Sequence, residues 1–159
     1  MDAQIDAKNS KEHKNYYLGT LVVFERPQLS SERTVFEVID GQQRLTTVTL
    51  LIAALARALD QANEDGKEPI DGFSPRKLRN YYLLNPEEEG ERHYKLILSQ
   101  TDRESLIAIV GRTEQPKEPS LRITQNFGMF ESWIATRRGD LASVCKGLAK
   151  LVVVDIALD

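Results

Sequence analysis

One cysteine, Cys145, is all the chain has, so no intramolecular disulfide can form, and no paired Cys/His spacing offers a zinc site. A reducing cytoplasm is the compartment this usage suggests. Histidine is nearly as scarce: His13 lies in a polar tail and His93 beside Arg92 and Tyr94, neither with a second ligand at metal-binding spacing. Neither sign of charge dominates, with 21 Lys and Arg against 24 Asp and Glu. A net charge of −3 gives no global reason to expect a nucleic-acid-coating protein, though a local basic patch stays open. The opening MDAQIDAKNSKEHKNYY has no apolar core of the signal-peptide kind. The longest apolar-rich stretch, Leu45 to Leu59, is interrupted by Thr46, Thr47, Thr49 and Arg57 and reads as too short for a bilayer. A soluble chain with no membrane contact is the expectation.

What is present suits an ordinary folded protein. Hydrophobic residues at 41% and charged residues at 28% argue against general disorder, and 159 residues suffice for one core. Tyr17–Phe24 and Thr34–Ile39 are rich in β-branched and aromatic residues and read as two strands that pair antiparallel across the polar connection Pro27–Glu32. Leu45, Val48, Leu51, Ile52, Leu55 and Leu59 then recur at helical spacing, and the turn formers of Asn63–Pro69 end that helix.

Farther on, Pro75–Leu84 suggests a short helix carrying Tyr81 and Tyr82, and Asn85–Gly90 an acidic loop. Tyr94–Leu98 reads as a short strand, and Asp102–Val110 as a helix capped by Thr101 with Glu104 at the capping-box position. Ser120 opens a helix to Arg138 with Ile123, Phe127, Phe130, Trp133 and Ile134 on one side as core. Gly139 ends it, and Asp140 caps a last helix, Leu141–Leu148. Leu151–Leu158 is a strand of buried type, and a chain stopping there reads as a piece of a longer domain. The expected class is α+β: a small mixed sheet with a strand–turn–helix element, packed with several helices. Residues 1–159 form a single partial domain, with 1–15 disordered, 16–62 strand–strand–helix and 63–159 mainly helical with two short strands.

The most informative stretch is Val35–Thr47, in which an apolar strand runs through Asp40-Gly41 into the polar helix start Gln42-Gln43-Arg44. Gly41 permits a sharp turn, and the first-turn N–H groups of a helix together with an arginine suit an anion. Capping explains the same residues: with Asp40 as N-cap, Gln43 falls at the third helical position, the spacing of a capping box. On the residues alone both readings stand.

The run Val38-Ile39-Asp40-Gly41-Gln42-Gln43-Arg44-Leu45-Thr46-Thr47 resembles the DGQQR signature of the N-terminal domain family of GmrSD-type, modification-dependent restriction systems. The resemblance extends to the preceding Tyr-Leu-Gly strand, the following helix, Leu98–Ile107 and the final strand. It implies a relative of the ParB/sulfiredoxin-type fold, binding an NTP with Mg²⁺, with NTP hydrolysis coupled to DNA restriction in phage defence. Nucleotide-binding positions implied are Gly41, Gln42, Gln43, Arg44 and Thr46, with Arg44 holding phosphate oxygens through its guanidinium fork. Asp40, Gln42 and Gln43 are the implied catalytic positions. Asp40 either holds Mg²⁺, orients Arg44 or caps the helix; Gln42 or Gln43 either positions a water or bonds base or ribose.

Implied partners are the nucleotide, DNA through the full-length protein, and an HNH-like nuclease domain in cis or trans. Family members usually carry an upstream Tyr-Gln-Arg-type segment and a downstream Asn- and Gly-containing motif, neither of which is found between Met1 and Asp159. The fragment alone is expected to be inactive. The competing reading is a structural or protein-interaction piece whose DGQQR turn only caps a helix.

Other residues carry weaker signals. Glu87-Glu88-Glu89 and Glu91 read as a solvated loop. Arg137-Arg138, and Arg76, Lys77 and Arg79 with Tyr81 and Tyr82, either touch nucleic acid or form solvent-facing helix surface. Cys145 reads as a small buried hydrophobe.

Overall fold

The computed structural model describes residues 14–27, 34–62 and 68–158. Of the disordered tail expected over 1–15, residues 1–13, His13 among them, lie outside these, as do 28–33 and 63–67. Among the described residues three strands and five α-helices form an α+β fold. The chain divides into two compact units, 1–45 with 146–159, and 46–145.

The first unit is built on a mixed sheet of order β2-β1-β3: β1 (Tyr16–Glu25), β2 (Phe36–Asp40) and β3 (Leu151–Leu158). As the sequence suggests, β2 runs antiparallel to β1, while β3 joins β1 in parallel. The register slips once on each side. Tyr17 faces Val152 and Gly19 faces Val153, so Leu18 is an extra residue in β1. Val22 faces Asp40 and Val23 faces Val38, which makes Ile39 an extra residue in β2. Such bulges bend a strand and re-aim the residues beside them. Although β3 has the composition of a buried strand, Val152, Val153, Val154, Ile156 and Leu158 are exposed, and among the described residues β3 pairs with β1 alone.

The second unit is helical. α1 (Gln42–Ala62) starts at the motif and supplies Leu50, Leu55 and Leu59 to a core shared with Leu78, Leu83, Leu106, Ile123 and Ile134. Its 21 residues reach about 31 Å at the α-helical rise. That corrects the expectation from Leu45–Leu59: the full helix is long and apolar enough to cross a bilayer. Its apolar face is instead buried by neighbouring helices, the ordinary arrangement of a core helix.

α2 (Pro75–Leu78) begins at Ser74, whose hydroxyl accepts from Lys77 N, and widens into a π turn over Arg79–Leu83. The extra residue in that turn leaves Tyr81 and Tyr82 in solvent and Leu78 and Leu83 inside. Tyr94–Leu98 is not a strand: only an isolated bridge joins Tyr94 to Leu84. His93 Nδ1 lies 3.1 Å from Asn85 O and 3.0 Å from Glu88 O, so it carries the proton and donates to these carbonyls, closing the acidic loop.

α3 (Gln100–Gly111) has Ser99 at its N-cap position, two residues earlier than the expected cap Thr101, and α4 (Leu121–Ala135) starts at Ser120 as expected. α4 stops before Gly139, with Thr136 as its C-cap. A 3₁₀ turn follows, and Asp140 Oδ1 accepts from Ser143 N at the start of α5 (Leu141–Ala149). Trp133 is not core: it is 41% exposed, because the buried stripe of α4 runs through Ile123, Phe127 and Ile134. Cys145 is fully buried.

Candidate anion site at the first turn of α1

The motif sits where β2 becomes α1. Leu45 N donates to Gly41 O at 3.0 Å, so the first helical hydrogen bond closes on Gly41, and Gly41 occupies the N-cap position. That corrects the capping-box reading, which put Asp40 at the cap and Gln43 third; the third helical position belongs to Arg44. The turn needs glycine there. Gly41 has φ +92°, and a Cβ on it would collide with the Leu21 side chain and lie 3.1 Å from Thr20 O.

Arg44 therefore points back from the first turn, as helical side chains do, toward β1 and Asp40. Its Nη2 donates to Asp40 Oδ2 at 3.1 Å. Both remain open to solvent, Asp40 at 67% and Arg44 at 40% side-chain exposure. A cation in the first turn runs against the helix dipole by about 0.3–1 kcal/mol, and α1 has no acidic residue in that turn. Asp40 offsets part of this cost from just outside the helix.

The structure brings together Asp40, Gly41 and Arg44 and distributes the other motif residues differently. Gln42 Nε2 donates to Val38 O at 2.9 Å, so this side chain folds back over the end of β2. Gln43 is exposed, and Thr46 is half-buried on the next turn of the helix.

Sequence reasoning missed Gly19 as a member of this site. It has φ +124° and stands next to the extra residue of β1. A Cβ on it would overlap Arg44 Nη1 and lie 3.1 Å from Cζ and 3.2 Å from Cδ. A glycine within a strand signals close backbone approach, and that was the available clue.

The remaining basic candidates go elsewhere. Arg79 is turned inward, its Nη1 donating to Val110 O at 3.0 Å, and Arg57 Nη2 donates to Ile109 O at 3.4 Å. They donate to carbonyls of the last turn of α3, where intrahelical N–H donors run out; Ile109 O also accepts from Arg112 N at 3.3 Å. Burial, then repulsion from Arg112, pushes the Arg79 guanidinium below its ordinary value. Arg79 thus leaves the proposed patch with Arg76, Lys77, Tyr81 and Tyr82, and Lys77 is paired with Glu68 at 2.9 Å. Among the described residues no group of three or more His, Cys, Asp or Glu side chains is arranged to hold a metal.

The chain matches the family model of the GmrSD restriction endonuclease N-terminal domain over residues 3–155, and it belongs to that family. No curated protein matches it. Membership places the chain in a restriction system, machinery of phage defence.

Proposed function

We propose that the chain binds a nucleoside triphosphate at the first turn of α1 and serves as the nucleotide-responsive part of its restriction system. The observation that carries this reading is Arg44, a half-exposed guanidinium held by Asp40 against β1 at the end of a helix whose dipole disfavours a cation. A polyphosphate offsets that disfavour and suits the planar donor fork of arginine. Asp40 orients Arg44.

The donor set fits a Mg²⁺ that arrives with the nucleotide, since such an ion is commonly held by one or two carboxylates and substrate phosphates. Asp40 is the carboxylate that would contact it; a resident metal is not part of this reading. Bound Mg²⁺ would neutralise phosphate charge. Gln42, whose Nε2 donates to Val38 O, or Gln43 would orient a water for hydrolysis or bond base or ribose. The nucleotide state would then be passed to a nuclease domain, in cis or trans, acting on DNA in the cytoplasm.

Equilibrium binding of labelled ATP, GTP, CTP and UTP with Mg²⁺ tests the reading. The wild type is expected to bind at least one, and Arg44→Ala to weaken it by about tenfold or more, the scale of a hydrogen-bonded charge pair. Equal binding by Arg44→Ala, or none of the four by the wild type, overturns it and leaves the motif as a structural turn.

A further inference from the structure

Gly19 brings no reactive group, yet its missing side chain decides where the Arg44 guanidinium lies. Cδ, Cζ and Nη1 of Arg44 all crowd the space that a Cβ at residue 19 would fill. Nothing flexible can yield on the strand side, because the obstruction is the Cβ itself, bonded to the backbone of the central strand of the sheet. The bulge at Leu18 and the φ of +124° at Gly19 form the local distortion that presents a bare Cα to α1. Asp40 holds Nη2. The guanidinium therefore has one nitrogen on a carboxylate and another against the bare Cα of a strand.

We propose that Gly19 is a positioning residue for the anion contact: it seats Arg44 against β1, so that the guanidinium is ordered before any ligand arrives. The proposal rests on the reading of Arg44 as the phosphate contact. Ordering in advance removes the entropic cost of fixing a long side chain on binding.

Inorganic tripolyphosphate binding to the full chain, measured by calorimetry on wild type, Gly19→Ala, Arg44→Ala and the double variant, tests this. Gly19→Ala is expected to weaken binding about tenfold in the wild-type background and to change nothing in the Arg44→Ala background. Backbone strain from alanine at a positive φ is common to both backgrounds and cancels in the cycle. Equal losses in the two backgrounds, or wild-type affinity in Gly19→Ala, overturn the positioning role while Arg44 stays the contact. Arg44→Ala binding as tightly as wild type overturns the nucleotide reading instead.

A ligand-free measurement stands even where Gly19→Ala fails to fold. In the wild type, ¹⁵N relaxation of the Arg44 Nε–H group is expected to report an ordered side chain, in contrast to exposed Arg76. Arg44 as mobile as Arg76 overturns the seat.

Discussion

Ser120 donates a 2.6 Å hydrogen bond from its hydroxyl to Asp102 Oδ1, while Ser120 Oγ accepts from Ile123 N at 3.3 Å. One side chain thus caps α4 and fastens it to the first turn of α3. The junction is closed further by Ser120 N, which donates to Ser105 Oγ at 2.8 Å, and by Arg122, paired with Asp102.

Acid should weaken this junction. The Ser120 bond, and with it Arg122, holds the Asp102 carboxyl below its ordinary 3.8, against the upward push of burial. A carboxyl depressed on folding contributes stability above its unfolded value, lost as pH falls through the folded value. Ser120→Ala is expected to cost about 1–2 kcal/mol at neutral pH, and progressively less as the pH falls from 3.8 toward the lower folded value at which native Asp102 takes up its proton. Urea melts at about pH 7 and about pH 3 supply the comparison. A cost that does not change with pH would detach Asp102 from the effect.

Trp133 offers a second check. The Arg137 guanidinium carbon lies 4.3 Å from the Trp133 ring centroid, and the indole is 41% exposed. As the single tryptophan, it is expected to emit at long wavelength and to be quenched readily by acrylamide in the native state. Trp133→Phe should cost no more than about 1 kcal/mol, the scale of an exposed cation–π contact. Blue-shifted, poorly quenched emission would return Trp133 to the core.

Cys145 should behave in the opposite way. Burial pushes its thiol up to about 11, so near pH 8 it is neither accessible nor ionised. Ellman's reagent is expected to leave the native protein unmodified and to titrate one thiol after addition of denaturant. Fast modification without denaturant would contradict the burial.

Gly41 shows how far the motif itself could be read. A sharp turn between Ile39 and Gln42 was legible because Asp-Gly separates a β-branched run from a helix-forming one. Its cap position was not. Asp40 and Gly41 are both good N-caps, and the choice depends on where Leu45 finds its acceptor, a difference of one residue that propensity does not resolve.

The amino-acid order by itself determined the α+β class, the antiparallel pairing of β1 and β2, the long helix behind the motif, and the caps at Ser120 and Asp140. Each depends on local spacing, φ preference or side-chain-to-backbone reach, and these act within a few residues. It also carried the DGQQR signature that the family match bears out. Only the tertiary structure decided that Gly19 and Arg44 meet, that Arg79 turns inward to Val110, that Trp133 faces out, and that Tyr94–Leu98 stays outside any sheet. Those outcomes depend on which residues distant in the chain fill the same space. Close packing settles that question, and periodicity along the chain contains no measure of it.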